Sequence, residues 1–362
     1  MMAWQTAAST ASSAVRSIKA FRLREPDSRR AYTMLRLDTS GGLTGWGECA
    51  ASVSDADTAA AVRALQGVDT SAYEVAWLKL AAFPTFRAAV DMALIDVSAQ
   101  QSKAPAYQLL GGPTRNKCRA YTMLEGAAGL ERALNAGFKA VGVSAPVNEW
   151  RNAGKAYVEK TANLMQMMRR AAGDGVDFVL DGAGRMVPGD AQSVAEVLER
   201  FHLLFFDEPV PISNLGAVRK IAGENVTPLG LGRGVDGPGG FMDLLREDCV
   251  DLLRPNLAQH GLSQIRRIAA VAETYYVAVA PYHDGGPLGT AAALHLAASL
   301  PNFFIQQIPS PTSERDRAFR RGLLSIDVEA VSSGFAALPN GAGWGVQVNQ
   351  SAVEKAAQEA GV

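Results

Sequence analysis

Four short stretches place chemically able side chains where apolar runs end. "DFVLDGAG" carries Asp181, "LLFFDEP" carries Asp207 with Glu208 beside it, "PLGLGRGVDG" carries Arg233, and "VAVAPYHDG" carries Tyr282, His283 and Asp284. Two carboxylates and one guanidinium form a natural ion-pair cluster. Arginine stays cationic at any ordinary pH and cannot ligate a metal. His283 has the near-neutral pKa of a general base. The alternative is a histidine satisfied within its own loop. Tyr282, with an ordinary pKa of about 10, packs or hydrogen-bonds more readily than it acts as a base.

"GRGVDG" also has the GxGxxG spacing of a phosphate-cradling turn. That fingerprint belongs in the first strand-turn-helix unit, with an acidic residue about 20 positions further on. Here it lies two-thirds of the way along the chain, and Pro238-Gly239-Gly240 delay the helix. The stretch therefore reads as a glycine-rich turn that carries Arg233 at the end of a strand.

Such side chains need a scaffold that gathers separate strand ends in one place. From Cys118 onward, short apolar runs recur at intervals of roughly 20 to 27 residues, with one wider gap. They are "CRAYTML", "KAVGV", "DFVLD", "LLFFD", "TPLGL", "DLLRP", "VAVAP" and "NFFIQ". Amphipathic segments such as "AYVEKTANLMQMMRRAA" and "LSQIRRIAAVAETY" separate them. About eight strand-helix alternations predict an α/β fold of the (β/α)8 barrel type, with its chemistry at the C-terminal strand ends. A doubly wound sheet is the rival. The number of units and the lack of a fingerprint after the first strand disfavour it. The strand ends are then Gly142 and Ser144, Asp181, Asp207, Arg233, Asn256, Tyr282 and Gln307. Ahead of the barrel, "SIKAFRL", "AYTMLRLD" and "GGLTGWGECA" predict three strands, and residues 55–110 are mostly helical.

Composition narrows the function. The chain has 362 residues, 48% hydrophobic and 20% charged, with a net charge of −1, so neither nucleic acid nor an anionic membrane is an expected partner. No apolar run approaches the roughly 20 residues of a membrane span. The start, "MMAWQTAASTASSAVRS", lacks a basic region followed by an apolar core, so no signal peptide is expected. Cys49, Cys118 and Cys249 are widely spaced. They fit a reducing compartment, and a cytoplasmic location is expected.

The strand-end residues, together with "GGLTGWGECA", "AAVDMALIDVSAQQSKAPAYQLLGGPTRNKCRAY", "DFVLDGAGRM", "FFDEPVP", "HGLSQIRRIAAVAE" and "LPNGAGWGVQVNQSAVEKA", resemble the enolase superfamily. The resemblance is to its mandelate racemase and muconate lactonizing enzyme branch, and it runs from about Ser17 to Ala357. It implies a loose tail over 1–15, an N-terminal α+β capping domain over 16–125, a modified TIM barrel over 126–325, and a C-terminal segment, 326–362, that rejoins the cap. Members of that branch abstract the proton α to a carboxylate. They stabilise the enolate with Mg²⁺ held by three carboxylates and use Lys or His as the base. By the resemblance, the metal-ligand positions fall on Asp181, on Asp207 where the branch usually has Glu, and on Arg233 where it has Glu. The base at the second strand, usually the last residue of Lys-x-Lys, falls on Ser144. The acid that orients the histidine falls on Asn256, the histidine itself on Tyr282 with His283 adjacent, and the final acid on Gln307. Arg24, Arg29 and Arg30 lie where the cap loop closes over substrate. They either pair with an acidic ligand or form a solvated loop.

These departures together imply that the ordinary chemistry has been lost or replaced. A divalent ion about 4 Å from a guanidinium meets a repulsion of about 8 kcal/mol at an effective dielectric near 20. Half of that weakens binding about a thousandfold. Arg233 is therefore expected either in the place of the metal, paired with Asp181 and Asp207, or as an exposed loop residue. No cofactor is expected, and Mg²⁺ is doubtful. The first functional reading is a degenerate member that has lost Mg²⁺-dependent enolisation and binds a small carboxylate or sugar acid, another protein, or nothing. The alternative is a metal-independent racemase, dehydratase or other lyase or isomerase acting on a hydroxy or sugar acid, with Arg233, Tyr282 and His283 as candidate catalytic residues. Exposed barrel helices favour a homo-oligomer.

Overall fold

In the computed structural model, residues 13–50, 54–126, 129–147 and 154–360 are described. Most of the expected N-terminal tail lies outside them. Three antiparallel strands open the chain: β1 (Val15–Arg24), β2 (Ala31–Thr39) and β3 (Thr44–Cys49). Their inner faces pack on α1 (Asp55–Leu65), α2 (Tyr73–Lys79) and α3 (Pro84–Gln101), followed by the short α4 (Ala106–Leu109). Val90, Ala93, Leu94 and Val97, spaced along one face of α3, are buried in that core.

The barrel then runs as β4 (Lys117–Met123), α5 (Gly129–Asn135), β5 (Ala140–Ser144), α6 (Lys155–Ala172), β6 (Asp177–Asp181) and α7 (Pro188–Leu198). It continues as β7 (Phe205–Asp207), α8 (Leu215–Glu224), β8 (Leu229–Leu231), α9 (Gly237–Arg246), β9 (Leu252–Leu253) and α10 (Leu257–Thr274). β10 (Ala278–Val279), α11 (Pro287–Ser299), β11 (Gln306–Gln307) and α12 (Glu314–Gly322) complete it. Strands β4 to β10 pair in parallel in chain order. The ring closes where Val279 bridges Phe303 and where β11 pairs with β4. The last strands are shorter than the apolar runs suggest, because Pro255 and Pro281 offer no N–H to extend the ladder.

Alternation along the strands sends one set of side chains inward. Tyr121, Ala140, Val179, Phe205, Leu252, Ala280 and Ile305 form the barrel's own core, distinct from the larger core between strands and helices. Gly230 belongs to the inward set. A Cβ there would lie 2.7 Å from the Phe205 ring and 3.1 Å from an Asp207 oxygen, so only glycine leaves room for both. The chain ends with β12 (Val331–Ser332), β13 (Phe335–Ala337) and α13 (Gln350–Glu359). β13 pairs antiparallel with β4. Trp344 returns to the first strands, donating from Nε1 to the Trp46 carbonyl at 2.8 Å.

A buried polar seam joins those first strands to the barrel. Glu48 on β3 accepts N–H bonds from Gly286 at 2.6 Å and Gly289 at 3.2 Å, at the start of α11. Arg320 on α12 pairs with Glu25 and with Glu329, and donates to the Gly285 carbonyl at 2.8 Å. Asp316 accepts the N–H groups of Asp27 and Ser28, both at 2.8 Å, which ties the β1–β2 loop to α12. Burial raises the Glu48 carboxyl from its ordinary 4.5 to about 7, against the two backbone bonds and Arg320. Over that interval the folded chain holds a proton that the unfolded chain has released. Stability from this group therefore falls as pH rises from about 4.5 to about 7. Urea unfolding at a series of pH values should show the decline flattened in Glu48→Gln. An unchanged slope in that variant would exclude Glu48 as its source.

Candidate functional site

Asp181 and Asp207 end neighbouring strands and lie opposite each other in register. Parallel pairing alone brings the two carboxylates to one rim. Arg233 follows β8 by two residues and reaches both. Its Nη2 donates to Asp181 Oδ1 at 2.5 Å and its Nη1 to Asp181 Oδ2 at 3.2 Å, a two-pronged fork, while Nε lies 3.5 Å from Asp207 Oδ2. The arginine side chain is 16% exposed, Asp181 12% and Asp207 0%. Burial opposes the charge on Arg233, but Asp207 and Asp181 outweigh it and raise its pKa above the ordinary arginine value. Its guanidinium also lies 5.2 Å from the centre of the Tyr282 ring, within cation–π range.

The glycine-rich turn is built to present this arginine. Glu208 sits in the left-handed region at φ 46° and accepts the N–H groups of Gly232 at 2.6 Å and Arg233 at 2.8 Å through one oxygen. A carboxylate of the protein itself thus takes the N–H pair that a phosphate would need. Gly232 has φ 121°, and a Cβ there would meet the Phe241 ring at 2.6 Å. Burial and the Asp207 charge raise the Glu208 pKa, against the two N–H bonds and Arg233.

Beneath Arg233 lies Arg254, fully buried, which sequence reasoning passed over. Its Nε donates to Asp207 Oδ1 at 3.1 Å and its Nη2 approaches Asp207 Oδ2 at 3.2 Å, Tyr121 Oη at 2.6 Å and Gln307 Oε1 at 3.2 Å. Nη1 donates to the Ala280 carbonyl at 3.2 Å, and the Tyr121 hydroxyl donates to Gln307 at 2.8 Å. The available signal was "DLLRPN", where one charged residue ends an apolar strand at a position that alternation turns inward.

The other candidate residues divide. Ser144 is exposed at the end of β5, opposite Asp181 in register. Gln307 is buried on the Tyr121 hydroxyl and Arg254. Asn256 accepts from the Ala258 N–H at 3.0 Å and caps α10. Tyr282 donates its hydroxyl to Asp284 at 2.7 Å. Burial and Asp284 push its pKa above the ordinary tyrosine value, so it is a neutral phenol rather than a base. His283 is not in the cluster. It is buried against Glu48 and α11, with Nε2 3.0 Å from the Gly286 carbonyl, and burial lowers its pKa to about 4. Arg24 and Arg29 are exposed and Arg30 is partly buried. Among the described residues, no hydrogen bond or ion pair joins these three to Arg233 or its carboxylates.

The Mg²⁺ that the resemblance implies does not fit these residues. One fork occupies Asp181, and Asp207 is claimed by Arg254 with Arg233 close by. Among the described residues, no three His, Cys, Asp or Glu side chains form a group able to hold an ion. What remains is a floor of paired groups, the carboxyls of Asp181, Asp207 and Glu208 against the guanidinium groups of Arg233 and Arg254.

Residues 125–352 match the enolase C-terminal domain-like family, and residues 24–111 match the mandelate racemase/muconate lactonizing enzyme N-terminal domain. A D-galactonate dehydratase of Ralstonia pickettii is 28% identical, covering 91% of this chain and 92% of its own. One from Pectobacterium atrosepticum is 27% identical, over 76% and 78%. A mandelate racemase/muconate lactonizing enzyme from Jannaschia sp. CCS1 superposes with a TM-score of 0.83 at 23% identity, over 94% of this chain and 97% of that one. An enolase of Agrobacterium radiobacter, solved with sodium and L-malate bound, gives 0.83 at 25% identity, over 94% of each. No helix among the described residues is long and apolar enough to cross a membrane.

Removing Arg233 leaves Asp181 without its fork, while Arg254 still compensates Asp207. Arg233→Ala should cost about 2–3 kcal/mol, below the 3–5 of a fully orphaned buried pair, because Asp181 keeps an edge toward solvent. Urea unfolding would measure it. A cost under about 0.5 kcal/mol would mark the cluster as no stronger than a surface ion pair.

Proposed function

Because the chain belongs to the mandelate racemase/muconate lactonizing enzyme family of the enolase superfamily, we propose that it has kept the family's scaffold and lost its Mg²⁺-dependent α-proton abstraction. In this reading the barrel mouth is a binding site for a small hydroxy or sugar acid that it does not enolise. The observation that carries it is the Arg233 guanidinium, forked on Asp181 and beside Asp207, a residue that the sequence resemblance sets at the third carboxylate ligand's position. Supporting features lie around it. Ser144 has no basic group to take a proton, Asn256 is spent as a helix cap, and His283 faces away as a neutral ring. The relatives named D-galactonate dehydratase, and the one solved with L-malate bound, support that ligand class.

In this site the residues bind and orient. Arg233 supplies a permanent positive charge with a partly exposed edge, and Ser144 an exposed hydroxyl on the neighbouring rim. One positive charge shared by two carboxylates polarises a substrate carboxylate far less than a divalent ion does, so the enolate goes unstabilised.

A second reading keeps catalysis without metal, with Arg233 as the electrophile over which an enolate would form. The dehydratase names of relatives at 27–28% identity favour it. Two measurements decide. Calorimetric titration with Mg²⁺ should give no binding heat into the millimolar range, and clear micromolar binding would overturn the proposal. Incubation in deuterium oxide with D-galactonate, L-malate and related acids should leave the α-position unlabelled. Label that appears with the native chain and vanishes in Arg233→Ala would establish the second reading.

A further inference from the structure

Arg233 is not the only group that closes the old metal position. We propose that the site is blocked at two depths: Arg233 fills the rim, and Arg254 below it is a positioning residue that withholds Asp207 from any cation. This rests on the reading that the chain does not bind Mg²⁺ and goes beyond it, because it says that undoing Arg233 alone does not bring the metal back.

The geometry of Asp207 carries the inference. The carboxylate is completely buried, and both of its oxygens face the Arg254 fork, at 3.1 and 3.2 Å. It is wedged against Gly230, where an added Cβ would lie 3.1 Å from Oδ1. Aspartate has one methylene fewer than the glutamate usual at this position, so its carboxylate stays inside the barrel within reach of Arg254. Arg254 has no freedom to follow a departing partner. Its donors engage Tyr121, Ala280 and Gln307 as well as Asp207, which ties it to four different strands or strand ends. The rings of Phe205, Tyr121 and Tyr282 surround its guanidinium at 5.1, 5.6 and 5.8 Å. A cation seeking Asp207 would have to share an oxygen with a fixed guanidinium and lie beside its charge. Outer partners of a ligand commonly change metal affinity by about 10- to 100-fold, and here the partner is cationic.

The test uses Mn²⁺ as the probe, followed through loss of the free-ion signal in electron paramagnetic resonance. The proteins are the full-length native chain, Arg233→Glu, the double variant Arg233→Glu with Arg254→Gln, and the double variant Arg233→Glu with Asp207→Glu. The last pair keeps Arg254 with its Tyr121, Ala280 and Gln307 partners and lengthens the carboxylate arm that must clear it, so it serves if Arg254→Gln fails to fold. The expected result is no binding by the native chain and, for the double variant carrying Arg254→Gln, binding at least about tenfold tighter than for Arg233→Glu alone, with the Asp207→Glu double variant deciding only where that protein does not fold. The two-level block is overturned if a folded Arg254→Gln double variant binds no more tightly than Arg233→Glu alone or, where that protein does not fold, if the Asp207→Glu double variant binds no more tightly. Binding by the native chain would instead overturn the proposed function, and this inference with it.

Discussion

Charge alternates along a short chain at the top of this barrel: Asp181, Arg233, Asp207, Arg254. Everything else at the site is arranged around the need to keep those four groups paired. Two carboxylates from adjacent parallel strands would repel one another at the rim, and burial would add to the cost of each. The guanidinium of Arg233 relieves the repulsion from above and that of Arg254 from within. Because arginine stays protonated at any ordinary pH, this arrangement is permanent in a way that a metal, which can dissociate, is not.

The fold supplies the space and direction that the pairing requires. Gly230 leaves room for the Phe205 ring and the Asp207 carboxylate. The turn after β8 is held by Glu208, whose left-handed backbone aims its carboxylate back at the N–H groups of Gly232 and Arg233. Tyr282 covers the guanidinium of Arg233 and also lies near Arg254, which joins the rim to the interior. Away from the rim, the seam through Glu48, Arg320, Glu25 and Glu329 fixes the first three strands against α11 and α12. The molecule thus carries two separate buried charge clusters, one at the mouth and one where the elements meet.

Much of this was legible in the residues. The eight apolar runs became the eight barrel strands, because a strand buried on both faces leaves an unmistakable short hydrophobic block. Asp181, Asp207 and Arg233 stood out because each ends such a block. Arg254 escaped because β9 is only two residues long. The run "DLLRP" reads as a strand ending at Asn256, which leaves Arg254 inside it, and the inward direction of Arg254 depends on how the barrel closes. Glu208 was noticed only as a neighbour of Asp207, since nothing in "FFDEP" announces a left-handed residue. Tyr282 and His283 show the limit of reading strand ends one residue at a time. The pair splits, with the phenol toward the arginines and the imidazole toward Glu48.

A guanidinium, and not a divalent ion, holds the two rim carboxylates. Crystals grown in excess Mn²⁺ would address it most directly, through the anomalous difference density at the barrel mouth. No peak is expected between Asp181 and Asp207, with Arg233 forked on Asp181. A peak there with octahedral oxygen ligands, and Arg233 turned out to solvent, would contradict it.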